Sequence, residues 1–221
     1  AIRLYLLNSP AVKVEDLSFS KMGVELVLRQ VLLPFWNAYT FFVTYARTYD
    51  WQPSPLPNAF DHAIDRWIVS LLHRLIHRVG LGMDQYDLAQ AVEPFVGFVD
   101  QLTNWYIRRS RRRFWDDRDT PSRAQAFATL YYVLIELSKI AASYVPFISE
   151  SISQNLRSPE MPESVHLCDF PLYCEKRRCT SLEEEMTAVQ IAVNLGHALR
   201  KEHKVKVRQP LPAAHVVSSN P

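Results

Sequence analysis

Apolar residues recur at helical spacing along most of the chain, and this periodicity predicts long amphipathic helices. From Ser20 onward they form one broad stripe, which predicts a long core helix. A kink is expected near residues 30 to 34, because Pro34 lacks a backbone N–H donor and clashes with the preceding turn. The proline-rich stretch over residues 51–57 cannot continue a helix, so we expect an extended linker there.

Two further helices follow this linker. The second helix is predicted to begin after a cap at Asn58 and to end just before Gly80. The third is predicted to begin near Asp84, to bend at Pro94 and to end in a basic tail. All three helices carry a wide apolar face, as expected of helices that pack together.

Thr120 followed by Pro121 predicts the start of a fourth helix, as its N-cap and first helical residue. A short helix is expected after Pro146. Long amphipathic helices joined by short breaks pack most simply as an antiparallel helix bundle. We therefore predict a mainly α-helical bundle over residues 20–157, preceded by a linker or stem segment over residues 1–19.

The pattern changes in residues 158–221, where we predict a small mixed α/β C-terminal appendage. Residues 165–168 predict a short strand, and a capping box from Ser181 to Glu184 predicts the start of a helix. The alternating Lys-Val-Lys-Val-Arg of residues 204–208 is typical of a strand with one charged face. That face is more simply a solvated edge than a binding surface.

Composition narrows the classes of function. The chain has 48% hydrophobic residues, enough for a real core, and 25 Lys and Arg against 23 Asp and Glu. Any affinity for nucleic acid must therefore come from the placement of the basic residues. Five glycines leave little from which to build a phosphate-binding loop. No window approaches about 18 uninterrupted apolar residues and no signal-peptide pattern is present, so no membrane association is expected.

Candidate metal ligands and nucleophiles are equally sparse. Three cysteines, Cys168, Cys174 and Cys179, fit neither a disulfide framework nor a zinc knuckle, so we expect a reducing, cytoplasmic setting. His73 and His77 have a spacing that suits a metal, but neighbouring arginines and the absence of a paired carboxylate favour an exposed helix face. No nucleophile motif is present. The sequence predicts neither a metal site nor a catalytic site.

Residues 104–115 are the strongest local feature, because five arginines lie there among aromatic residues at a helix end. Arginine binds phosphate through its planar fork, and Trp and Tyr offer faces on which unpaired bases stack. Arg108 and Arg112 share one helix face, and Arg109 and Arg113 share the next. Alternatively, the cations only complement the helix dipole at a solvated C-terminus. The residues alone leave both interpretations open.

Five segments together resemble isoleucyl-tRNA synthetases, in the region that follows the catalytic domain of this class I family. Each is short, and DRWI and NWY-like strings also occur in valyl and leucyl enzymes, but the order and spacing of the five are specific. One departure lies at Leu72, where relatives often carry Arg two residues after Ser70. The segments are RLYLLNSP at 3–10, VLLPFWNAY at 31–39, DRWI at 65–68, NWYIRRSRRR at 104–113 and KVKVRQPL at 204–211.

The resemblance implies a helix bundle that binds the anticodon stem-loop of tRNA(Ile), without DNA or a membrane as partner. It implies a longer, ATP- and Mg²⁺-dependent parent that joins isoleucine to tRNA, and it leaves zinc open. The HIGH and KMSKS signatures and the editing domain are absent, so this chain alone is expected to be an inactive monomer without cofactors. By matching motif positions, the candidate tRNA contacts are Asn37, Phe41, Trp105, Arg108, Arg109, Arg112 and Arg113.

Two alternatives stay open at this point. The chain is also consistent with the same region of a valyl- or leucyl-tRNA synthetase. A helical protein-interaction module would instead use the basic helix end to bind an acidic partner.

Overall fold

The computed structural model describes residues 1–13, 16–116 and 120–217, and it contains helices but no strand among them. The chain divides into two compact units, Ala1–Arg178 and Cys179–Pro221. The prediction of a mainly α-helical chain is thus confirmed, whereas the predicted mixed α/β appendage has no strand to support it.

The first unit is built from long helices joined by short breaks. The described helices are α1 (Ile2–Leu7), α2 (Lys21–Val27), α3 (Leu33–Thr48), α4 (Ala63–Asp84), α5 (Leu88–Asp100), α6 (Arg108–Trp115), α7 (Pro121–Ala141) and α8 (Pro146–Leu156). π-Helical segments over Leu28–Leu32 and Gln101–Ile107 make α2 continuous with α3 and α5 continuous with α6. Helix α4 packs against α5 and α7, and α7 packs against α8.

The π-helical turn over Leu28–Leu32 coincides with the region of the predicted kink. Pro34 has no N–H to donate, so the carbonyl four residues before it loses its regular partner. The backbone N–H of Leu33 accordingly donates to the carbonyl of Leu28, one residue further back than in an α-helix. Proline thus changes the local helix type here without ending the helix.

The continuous helix Lys21–Thr48 is the one described helix that is long and apolar enough to cross a membrane, by length and composition only. Core helices of globular proteins pass the same test. Phe35, Ala38 and Phe42 on this helix are buried in the unit, and 28% of its apolar window is buried in all.

Two predicted boundaries of the second helix are wrong. Helix α4 begins at Ala63, after His62, and not after a cap at Asn58. It also continues past Gly80 to Asp84. No described glycine has positive φ, so Gly80 lacks the left-handed geometry that ends many helices.

Close packing of α4 on α5 depends on a different glycine. A Cβ atom on Gly82 would lie 2.8 Å from the backbone nitrogen of Ala91 in α5. The chain then turns, and the Asp87 side chain caps α5 by accepting from the Gln90 N–H at 2.9 Å. The third helix therefore begins at Leu88, a few residues later than predicted.

The predicted start of the fourth helix is confirmed. The Thr120 hydroxyl accepts from the Arg123 N–H at 3.2 Å and Pro121 is the first residue of α7. Buried side chains of α3, α4, α5, α6 and α7, of the π-helical segment Gln101–Ile107 and of the turn after α7 form the core. The largest of these fully buried side chains include Trp67, Tyr106, Tyr144, Phe35, Phe95, Phe114 and Phe127.

The predicted strand over residues 165–168 is a 3₁₀ turn, Val165–Leu167. The Glu150 carboxylate accepts from the Val165 N–H at 2.9 Å, and the Ser164 hydroxyl accepts from the His166 N–H at 3.2 Å. Side chains thereby occupy the donors that a strand would offer to a sheet.

The second unit consists of α9 (Thr180–Glu202) and the described residues after it. The predicted capping box is wrong, because Ser181 lies inside this helix and not at its N-cap. The predicted strand over residues 204–208 is also absent. One Arg200 NH group donates to the carbonyls of Lys206 and Gln209, both at 2.9 Å, which folds these residues into turns.

Candidate nucleic-acid interface

A buried ion pair fixes the end of the arginine-rich helix α6. The Asp65 carboxylate has no exposed surface, and it accepts hydrogen bonds from both terminal nitrogens of the Arg113 guanidinium group, at 2.9 and 2.6 Å. The Tyr106 hydroxyl donates to the same carboxylate at 2.8 Å. Burial, then the charge of Asp65, raises the pKa of Tyr106 well above its ordinary value, so the phenol remains a donor.

Arg113 also binds the first turn of α7. Its Nε donates to the Ser122 hydroxyl at 2.9 Å, and one terminal nitrogen donates to the Ser122 carbonyl at 2.8 Å. Four of the five guanidinium N–H groups are thus used inside the protein. Arg113 joins α4, α6 and α7 at one end of the first unit, and we do not include it among the proposed RNA contacts.

The remaining arginines of α6 lie on the surface. Helix α6 carries five arginines and no acidic residue, and the pairing of Arg113 with Asp65 leaves four uncompensated within the helix. Ser110 and Phe114 form its buried face. The exposed arginines are Arg108, Arg109, Arg111 and Arg112. We call this surface the arginine face.

Trp105, the predicted base platform, is half-buried and already stacked. The Arg109 guanidinium carbon lies 3.8 Å from the centre of the Trp105 ring. Burial, followed by repulsion from Arg108, lowers the pKa of Arg109. This cation–π contact covers part of the indole surface that a base would need.

Phe41 and Asn37 lie one helical turn apart on α3. Phe41 is half-buried, and its ring centre lies 5.1 Å from that of Phe114 in α6. Asn37 is exposed. The structure therefore places Phe41 against the helix that carries the arginine face, where it supports that helix from beneath, and it leaves Asn37 accessible one turn away.

Two exposed residues of α6 were not among the residues nominated from the sequence. Arg111 is exposed, and the indole of Trp115 is 48% exposed. Their spacing to Arg108 and Arg112 gives the signal, because positions three and four apart share a helix face. The sequence around Asp65 does not indicate that this residue is buried in an ion pair, since its partner Arg113 lies 48 residues away.

The His73 and His77 pair separates in the structure. His77 is exposed as predicted, whereas His73 is buried, which corrects the prediction of one exposed face. The Cys174 N–H donates to Nδ1 of His73 at 3.3 Å, and Nε2 lies 3.1 Å from the Tyr132 hydroxyl. Among the described residues no three His, Cys, Asp or Glu side chains group as a metal site requires.

Comparison with known proteins identifies the family. Residues 65–216 match the family model of the anticodon-binding domain of tRNA ligase. The chain belongs to this anticodon-binding domain family. The match begins at Asp65, the buried partner of Arg113, and it contains the whole arginine face.

Relatives of this anticodon-binding domain are similar along the full chain. An isoleucine–tRNA ligase of Protochlamydia amoebophila is 70% identical over 221 residues, which are 100% of this chain and 21% of the relative. The isoleucine–tRNA ligase of Chlamydia trachomatis serovar L2 is 54% identical over 219 residues, 99% of this chain and 21% of the relative. That of Chlamydia pneumoniae is 52% identical over 221 residues, with 99% and 21% covered. The chain therefore spans about a fifth of the length of these relatives.

Proposed function

We propose that this chain is the part of an isoleucine–tRNA ligase that holds the anticodon stem-loop of tRNA(Ile). The observation that carries the proposal is the arginine face, a compact set of exposed cations on a helix that is fixed from inside. The relatives named above are isoleucine–tRNA ligases, which supports isoleucine as the amino acid and tRNA(Ile) as the tRNA.

The arrangement suits RNA binding because the residues that hold α6 in place are different from the exposed arginines that would contact RNA. The Asp65–Arg113 pair and the buried Phe114 hold α6, so the exposed guanidinium groups need little further ordering when they bind phosphate. No hydrogen bond or ion pair joins Arg108, Arg111 or Arg112 to another described side chain, which leaves their forks available.

ATP-dependent chemistry is assigned to the part of the ligase outside this chain. ATP and Mg²⁺ would bind there, as the resemblance to isoleucyl-tRNA synthetases implies. The contribution of this chain is positional: it orients one end of the tRNA while the acceptor end is aminoacylated. A cytoplasmic setting and a monomeric state remain predictions.

The test compares two steps in the full-length ligase. A variant with Arg108, Arg111 and Arg112 changed to Ala should lose roughly 100-fold in kcat/KM for tRNA, at about 1 kcal/mol per lost contact. Isoleucine-dependent pyrophosphate exchange should stay unchanged, because adenylate formation does not involve the tRNA. A control variant with Lys21, Arg29 and Arg78 changed to Ala removes the same charge from other exposed positions.

The control position Arg78 is well separated from the end of α4 that holds the arginine-rich helix. Arg78 lies 13 residues beyond Asp65 on α4, about 20 Å along the helix at 1.5 Å per residue. Equal losses in both variants would indicate a general charge effect. Full charging by the arginine-face variant would remove this surface from the tRNA site.

A further inference from the structure

We propose that Trp115, and not Trp105, is the platform on which an unpaired base of the bound RNA stacks; this inference rests on the proposed function. The ligand class is a nucleobase of a single-stranded loop. Matching of motif positions nominates Trp105, but the structure distinguishes the two indoles by exposure and by what already covers them.

The accessible indole is that of Trp115. Trp105 is half-buried with the Arg109 guanidinium 3.8 Å from its ring centre, whereas Trp115 is 48% exposed. The nearest aromatic partner of Trp115 is Tyr45, whose ring centre is 6.3 Å away with the planes inclined at 46°. An inclined neighbour at this distance supports the indole without stacking flat on it, so a face remains for a base.

The backbone on both sides of Trp115 is held in place. Phe114 is fully buried between Phe41 and Phe127, at ring-centre distances of 5.1 and 4.9 Å. On the other side, Arg123 donates to the carbonyl of Asp116 at 2.9 Å. A platform that is already ordered loses little conformational entropy when a ligand binds.

The arginine face supplies the charge that a nucleotide requires. Trp115 lies four residues after Arg111 and three after Arg112, and Arg108 is one further turn back on the same face. If the phosphates of a single RNA strand bind these arginines, the Trp115 indole lies at the C-terminal end of that row of arginines. Cationic grooves with aromatic platforms are the usual means of binding single-stranded nucleic acid.

An apolar protein segment is the other occupant that an exposed indole attracts. Such a segment gains nothing from three guanidinium groups beside the indole, whereas RNA gains a phosphate contact from each. The charge next to Trp115 therefore favours the nucleobase.

The test measures binding of the full-length ligase to an anticodon-arm hairpin of tRNA(Ile) with 2-aminopurine at one loop position. Stacking on an indole quenches this fluorescent base. Trp115→Ala should weaken binding roughly 5- to 140-fold and abolish the quenching, whereas Trp115→Phe should keep most of both because it retains an aromatic face. Because no phosphate contact is lost, the dependence of affinity on salt should not change in Trp115→Ala.

Tyr86→Asn is the matched control, because Tyr86 is 91% exposed and lies at the α4–α5 turn, at the other end of α4 from Asp65. Asn tolerates its positive φ of 57°. Suppose that Trp115→Ala binds normally and that the variant lacking Arg108, Arg111 and Arg112 binds weakly. That result would contradict the role of Trp115 as a base platform and leave the proposed function standing. Normal binding by both variants would overturn the proposed function itself. Loss of quenching in Trp105→Ala, with quenching kept in Trp115→Ala, would assign the platform to Trp105.

Discussion

Replacement of Arg113 by Ala is expected to destabilise the fold and not merely to remove an RNA contact. The change leaves the Asp65 carboxylate buried without its cation, and only the Tyr106 hydroxyl still donates to it. Breaking a buried pair by removing one partner costs about 3–5 kcal/mol. Domains of this kind have a total stability of about 5–15 kcal/mol, so the loss would be a large share of it.

The magnitude can be isolated with a double-mutant cycle. The free energy of unfolding would be measured by urea titration for Arg113→Ala, Asp65→Ala and the double variant. The double variant should cost clearly less than the sum of the singles, by roughly 2 kcal/mol or more, because it leaves no unpaired charge. Arg112→Ala, one residue earlier and exposed, is the control and should stay within about 0.5 kcal/mol.

Additive single changes, or a loss below about 1 kcal/mol for Arg113→Ala, would refute this reasoning. Such a result would mean that the pair behaves as a surface salt bridge. Arg113 would then return to the candidate RNA contacts.

Other predictions test the packing around the same unit. Burial, then the charge of Arg177, lowers the pKa of His73 from 6.5 to about 4. Between these two pH values the unfolded chain binds a proton at His73 that the folded chain does not. The free energy of unfolding should therefore fall by up to about 3 kcal/mol as the pH drops through this window. Urea titrations at several pH values should show this component in the parent and not in His73→Asn. Gly82→Ala should lower the melting temperature, at about 1–3 kcal/mol, because its Cβ meets backbone, whereas Gly97→Ala, with open space around it, should be neutral or stabilising by up to about 1 kcal/mol. Thr120→Ala should cost about 1 kcal/mol in the same assay, through loss of the α7 cap.

Much of the helical architecture could be predicted from the sequence, because amphipathic periodicity and the Thr120 cap are local signals. The errors have local causes too. Gly80 was predicted to end a helix, since a glycine at a helix end and one inside a helix look alike without φ values. The strand predicted at 165–168 failed because a distant carboxylate, Glu150, captures the Val165 N–H.

The candidate site was predictable as a region but not residue by residue. The run of arginines identifies the surface, yet it gives no sign that Arg113 points inward to Asp65, because that pairing depends on how α4 and α6 pack. The sequence nominates Trp105 and, for the same reason, gives no sign that Trp115 is the more exposed indole. Trp105 has a partner one turn away in Arg109, whereas the exposure of Trp115 follows from the burial of Phe114 beside it.

The most direct test of the central claim, that the arginine face binds RNA phosphates, is the salt dependence of hairpin affinity. The logarithm of the association constant falls linearly with the logarithm of salt concentration, by roughly 0.7–0.9 per phosphate contact. The variant lacking Arg108, Arg111 and Arg112 should therefore show a slope shallower by about 2–3 than the parent, whereas the Lys21, Arg29 and Arg78 variant should keep the parent slope. An unchanged slope in the arginine-face variant would contradict the assignment of this surface to RNA.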